Sequence, residues 1–213
     1  MKPRRLKLNG TQQRWVRDWW RALQPRQVED TPLPGELWAM GRGERAQLRR
    51  CKDAEELLSH AATLLLAERL IALDDNAGFL PDQPISYERI AWVAGVLATV
   101  KSDTKDDKSL AWHLGHGANN ERIKMGELRF QTMQRSSSLH DLFRHWRRAI
   151  QLADGSTDIV RLADDLLNWQ IELGQSALRA SDGIKFYWAC DYYLSKREQA
   201  AAEEPVSNKE LTV

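Results

Sequence analysis

Ser138-Leu-His-Asp-Leu-Phe-Arg-His-Trp-Arg-Arg-Ala-Ile-Gln-Leu-Ala153 puts Leu139, Leu142, Phe143, Trp146, Ala149, Ile150 and Ala153 on one stripe of a 3.6-residue period. Arg144, Arg147 and Arg148 fall on the opposite face, which His140 and Gln151 extend. The spacing predicts an amphipathic helix with an apolar side for packing and an arginine side for solvent or a ligand. The same period continues outward. Segment 157–173 repeats it with Val160, Ala163, Leu166, Leu167 and Ile171, and segment 53–73 with Leu57, Leu58, Ala61, Leu64 and Leu65. Segment 86–100 does so with Ile90, Ala91, Val93, Ala94, Leu97 and Val100. Segment 184–199 opens apolar almost all round, with Phe186, Tyr187, Trp188, Ala189 and Cys190, and should be deeply packed. No stretch alternates in the manner of a strand. The fold class expected is all-α, with two small helical bundles in series.

Breakers and caps set the boundaries. Asp53 followed by Glu56 reads as a capping box, and Ser86 as an N-cap. Pro25 should end a first helix over 11–24. Pro32, Pro34, Gly35, Gly41 and Gly43 mark 31–43 as a loop with one helical turn. The run Lys101-Ser-Asp-Thr-Lys-Asp-Asp-Lys108 has no apolar residue and is expected to be a mobile loop. Gly115-His-Gly-Ala-Asn-Asn120 is a second break. The expected organisation is an N-terminal bundle over 1–115, a C-terminal bundle over 116–200 and a flexible tail over 201–213.

Composition limits the classes of function. The chain has 213 residues, 42% of them hydrophobic, which is ample for a core. With 31 basic against 30 acidic residues, net charge predicts no partner, so charge distribution must. The basic start Met1–Lys7 is followed by polar residues, which is not the pattern of a secretory signal. No apolar run approaches the ~20 residues of a membrane span. Cys51 and Cys190 are far apart and lack metal-type spacing, so a reducing, cytoplasmic setting is expected.

Two arginine clusters stand out. Gly41-Arg-Gly-Glu-Arg-Ala-Gln-Leu-Arg-Arg-Cys51 stacks Arg45 and Arg49 on one helical face. Arg42 flanks that face, and Arg50 sits about 100° round. The second cluster, 121–151, holds Arg122, Lys124, Arg129, Arg135, Arg144, Arg147 and Arg148 against Glu121, Glu127 and Asp141. A guanidinium fork stays charged and donates paired hydrogen bonds to phosphate oxygens. Such contacts position a nucleic acid without reading its sequence. The competing explanation is a solvated arginine face with no ligand.

Other signals carry less. His113 and His116 lack a third ligand nearby, so no metal or cofactor is expected. The pairs Asp74-Asp75, Asp106-Asp107 and Asp164-Asp165 invite a two-metal reading. Capping or solvation explains them, with Asp164-Asp165 on the outer face of a helix. Trp15 and Trp19 form a core stripe, and Trp20 leaves it by one position. Asn119 and Asn120 at the second break are the nearest approach to a helix-turn-helix reader.

The order of several stretches resembles the CasB family, the small subunit of the type I-E CRISPR Cascade complex. They are Trp-Trp-Arg-Ala-Leu-Gln-Pro (19–25), Gly-Glu-Arg-Ala-Gln-Leu-Arg-Arg (43–50), Leu-Arg-Phe-Gln-Thr-Met-Gln-Arg (128–135) with the helix at 139–150, and Val-Arg-Leu-Ala-Asp-Asp-Leu-Leu-Asn-Trp (160–169) with Trp188-Ala-Cys-Asp-Tyr-Tyr193. The resemblance covers roughly 15–200. It implies an all-helical, non-catalytic subunit whose partners are guide RNA, target DNA, other Cascade subunits and a second copy of itself head to tail. It implies contacts to the guide–target hybrid and to the displaced DNA strand, with no membrane and no cofactor. Arg49, Arg50, Arg144, Arg147 and Arg148 carry over best. Family members often have basic residues where this chain has Trp112, Gln131 and Gln134, which ranks Arg129 and Arg135 lower.

Overall fold

The computed structural model describes residues 4–26, 31–75, 78–116, 123–175 and 179–203. Asn119, Asn120, Glu121 and Arg122 lie outside the described residues, as does the tail from 204 on. Helix α1 spans Gly10–Ala22, and its start is a reciprocal cap in which Asn9 Oδ1 accepts from Gln12 N while Gln12 Oε1 accepts from Asn9 N, both at 2.9 Å. A 3-10 turn at Gly35–Leu37 precedes α2, Arg42–Arg50. Then come α3 (Ala54–Leu58), α4 (Ala61–Ala72) and α5 (Pro84–Leu97). Helices α6 (Leu110–Gly115), α7 (Glu127–Arg135), α8 (Leu139–Leu152), α9 (Ile159–Leu173) and α10 (Ile184–Glu203) complete the fold. The expected all-α class holds.

Several local expectations change. The helix expected over 53–73 is two helices, because the chain turns at Ser59, whose hydroxyl donates to Glu56 O at 2.6 Å. Asp53 caps α3 by accepting from Glu56 N. Helix α5 begins at Pro84 in its first turn, so its cap is Gln83, and Ser86 is buried inside the helix. Trp20 stays in the core, where its indole N–H donates to Val100 O at 3.3 Å.

The run 101–108 is held rather than loose. Ser102–Asp103 (β1) and Ser156–Thr157 (β2) form a two-residue parallel pair, with Ser102 opposite Ser156 and Asp103 opposite Thr157. Gly155 permits it on two counts. Its φ is +81°, and a Cβ there would meet Lys101 Cγ at 2.8 Å. The Asp103 carboxylate accepts from Ile159 N at 3.1 Å and from Arg17 Nε at 3.2 Å.

One continuous cluster of buried apolar side chains runs from Leu8 to Tyr192. Helix α5 packs on α3, α4, α8 and α9, and α6, which precedes residue 116, packs along α10. The two helical groups therefore share a core. The division into 1–115 and 116–200 stands as a proposal about folding units.

Helix α9 is the buried axis, and it corrects the reading of Asp164-Asp165 as an outer-face pair: both side chains are wholly inside. Asp164 accepts from the backbone N–H groups of Lys7 and Leu8 at 2.7 and 2.8 Å, from Asn168 Nδ2 at 3.0 Å, and from Arg4. Asp165 accepts from Arg4 Nη2 at 2.7 Å and from Trp188 Nε1 at 2.8 Å. Burial works against the Arg4 guanidinium, but the two carboxylates overcome it and raise it above its ordinary value. At the deeper end, burial pushes the Asp165 carboxyl up to about 6 against the pull of Arg4 and Arg161.

Asp164→Ala should cost about 3–5 kcal/mol in urea unfolding, because it removes one of the two carboxylates that hold the buried Arg4 charge and leaves the Lys7 and Leu8 N–H donors without an acceptor. The folded chain holds the Asp165 proton more tightly than the unfolded chain does. This group's stabilisation is therefore full below about pH 4 and is lost as pH rises through about 6. Asp165→Asn should accordingly gain on the parent in melting temperature between pH 4 and pH 7; a loss over that window would contradict the assignment.

Candidate nucleic-acid interface

Helices α2 and α8, nearly a hundred residues apart in sequence, face one another across the C-terminal end of α5. Between them lies a cleft of about 580 Å³. Arg49 and Arg50 line it from α2, Arg147 and Gln151 from α8, and Lys101 from the strand β1 side, with Ala46, Thr99, Ile150 and Gly155 filling the floor. No carboxylate is among the lining residues. The nearest in sequence, Asp154, is held by Lys124 at 2.7 Å, and that hydrogen bond lowers its carboxyl below the usual range. The two arginine clusters thus meet in space, through the members that face the cleft.

The nine arginines expected at the interface divide by what they touch. The outer-face reading of α8 makes Arg147 dispensable for packing, and the structure corrects this. Its Nη1 donates to Cys51 O at 2.9 Å and its Nη2 to Arg49 O, while its guanidinium lies over the Phe143 ring at 4.9 Å. It closes the carbonyl end of α2. Arg45 does the same for α5, with Nε donating to Ala98 O at 3.0 Å and Nη2 to Val100 O at 2.7 Å. A cation at a helix C-terminus satisfies orphan carbonyls and meets the negative end of the dipole. Burial first, and the charge of Arg49 second, push both guanidinium groups below their ordinary value. Both remain cations.

The others have freer ends. Arg42, Arg49 and Arg50 are exposed, and their guanidinium groups have no partner among the described residues. Arg148 is exposed and reaches along α8 to Gln151 Oε1 at 3.3 Å. Arg144 is 73% exposed at its side chain, 3.9 Å from Asp141. Arg129 and Arg135 are exposed on α7, away from the cleft lining.

Lys101 is the cleft residue that the sequence reading passed over. Its place depends on the pairing of β1 with β2 across more than fifty residues, and no local periodicity encodes that. No three His, Cys, Asp or Glu side chains among the described residues gather in a way that could hold a metal ion. His113 Nε2 instead lies 3.4 Å from Asp106, and His116 stacks on Trp112 with ring centroids 4.4 Å apart.

The family model of the CRISPR-associated protein Cse2 matches residues 44–193. That span contains every cleft-lining residue. A crystal structure of CasB from Thermus thermophilus is similar at 21% identity, covering 85% of this chain and 97% of that chain, with a TM-score of 0.49. No curated protein matches the chain significantly.

Arg147→Ala should lower stability by about 1–3 kcal/mol, since it strips donors from the carbonyl end of α2. Arg148→Ala, one residue away and exposed, should change it by less than about 0.5 kcal/mol. Paired urea titrations check this, and equal effects would contradict the division of roles.

Proposed function

The chain belongs to the CRISPR-associated Cse2 family, and we propose that it grips nucleic-acid backbone in the cleft between α2 and α8 as the small subunit of a Cascade complex. Membership makes it a Cascade subunit, and the family's role is structural rather than enzymatic. The observation that carries the binding proposal is the convergence of Arg49, Arg50, Lys101 and Arg147 on one cleft with no carboxylate in its lining. Exposed guanidinium groups suit phosphate oxygens, and each contact releases counterions from the strand. Guide pairing reads the target, so the protein has only to hold the strands in place. On this reading the cleft supports the guide RNA–target DNA hybrid or the displaced strand and stabilises the R-loop.

Arg42, Arg144 and Arg148 extend the interface at its rim, and Arg129 and Arg135 form an outlying patch on α7. Arg45 and Arg147 act by shaping the cleft and adding to its positive field. Two copies are proposed to meet head to tail in the complex, as the family resemblance implies. Such a contact joins two different surfaces, so it does not close on itself. No helix among the described residues is long and apolar enough to cross a membrane.

The test replaces Arg49, Arg50 and Lys101 together by Ala within the assembled complex. Target-DNA affinity should fall, and the slope of log affinity against log salt should become shallower by about 0.7–0.9 for each phosphate that is no longer neutralised. The loss should be alike across target sequences. An unchanged affinity and slope in a normally assembled complex would falsify the cleft as a binding site. Native mass spectrometry of that complex should count two copies of the chain, and a single copy would contradict the head-to-tail proposal.

A further inference from the structure

Helix α1 carries Arg14, Arg17 and Arg21 at spacings of three and four, on the side away from the buried Trp15, Val16 and Trp19. With Lys105, Asp18 and Thr31 these arginines line a groove of about 500 Å³. Two of the arginines are anchored. Arg17 pairs with Asp103 at 3.2 Å and Asp158 at 3.7 Å, and Arg21 with Asp18 at 3.1 Å and Thr31 O at 2.7 Å. Arg14 and Lys105 are exposed and have no charged partner among the described residues. The groove therefore has fixed cations in its wall and free ones at its edge.

Thr31 opens the loop that carries Trp38, and α1 packs against the 3-10 turn of that loop. Of the nine tryptophans, Trp38 alone is exposed, at 62%. Its ring is nevertheless fixed. The indole N–H donates to Leu33 O at 3.2 Å, and Arg26 lies over the ring at 5.5 Å while donating to Trp38 O at 2.7 Å and Met40 O at 2.9 Å. A large aromatic ring held in place yet left open to water is available to stack on a planar ligand. The groove helix packs against the turn that precedes Trp38, and cations on a groove together with an exposed aromatic ring are the components that bind single strands, with phosphates on the cations and a base on the ring.

We infer that the α1 groove and Trp38 form a second binding site, for a single nucleic-acid strand. Arg14 and Lys105 contact phosphates, and Trp38 stacks a base. The site is distinct from the α2–α8 cleft, and apart from Lys105 its named residues precede the stretch matched by the family model. Only the class of ligand rests on the reading of the chain as a nucleic-acid-binding subunit.

The test uses the full chain and two probes of equal length, an oligo-dT strand and the same backbone without bases. Trp38→Ala should weaken oligo-dT binding roughly 5- to 150-fold, the range that stacking of one base provides, and leave the abasic strand unchanged. Trp38→Phe should restore most of the loss. Arg14→Ala with Lys105→Ala should weaken both probes and flatten the salt dependence. Arg49→Ala with Arg50→Ala reports on the cleft separately. If only that pair weakens binding, the second site is wrong and the cleft stands. If oligo-dT does not bind the parent chain, or if Trp38→Ala impairs assembly of the complex while binding oligo-dT normally, the inference is likewise overturned, the latter outcome marking Trp38 as a protein contact.

Discussion

Two adjacent carboxylates at the centre of a buried helix are the constraint around which the molecule is arranged. Asp164 and Asp165 sit where water does not reach, and an uncompensated charge there is too costly to keep. Compensation comes from three directions. Arg4 and the backbone of Lys7 and Leu8 arrive from the N-terminal segment, Trp188 from α10, and Arg161 from one turn back along α9. The chain entering α1 and the start of α10 are thereby pinned to the same helix. A second set of contacts completes the frame at the beginning of α9. Asp158 caps the helix by accepting from Val160 and Arg161 N–H groups at 3.0 and 2.9 Å, and it also accepts from Asp107 N at 3.1 Å. Arg17 of α1 reaches both Asp158 and Asp103. The segment 101–107 is fixed between α1 and α9 in this way, which places Lys101 on one surface and Lys105 on another.

Helical periodicity alone made the architecture legible. The apolar stripe of α8 is its buried face and its arginine side is the outer face apart from Arg147, whereas α5 from Ile90 and α9 as far as Gln170 are buried all round. What the sequence did not disclose has a common physical origin, in partners remote along the chain. The Asp164-Asp165 pair looks like surface charge until Arg4, some 160 residues earlier, is seen to meet it. The run 101–108 lacks apolar residues, yet it is ordered by carboxylates and a strand pairing rather than by burial. The arginine row of α1 was present in the periodicity, but it was masked by the tryptophans that share the helix and by a neutral net charge. The family resemblance supplied what periodicity could not, namely the family itself, and the match over residues 44–193 bears out that assignment.

The cleft shows why one residue type in one place takes two roles. Arg45 and Arg147 each close the carbonyl end of a helix, α5 and α2 respectively, and those carbonyls hold the guanidinium groups despite burial and the repulsion of Arg49. The fold thus supports a concentration of positive charge that exposed side chains alone would disperse by moving apart. Arg49, Arg50 and Lys101 have no such obligation, and their groups end in solvent at the mouth of that field. An anion entering the cleft relieves the repulsion among the cations and at the same time provides acceptors for the free ones. Both effects favour the bound state, and neither requires the helices to move. On the proposed reading, removing a free cation takes away a ligand contact, whereas removing an anchored one also strips donors from the helix end that it closes. The anchored arginines are therefore poor probes of the proposed binding, and the free ones test it without disturbing the frame.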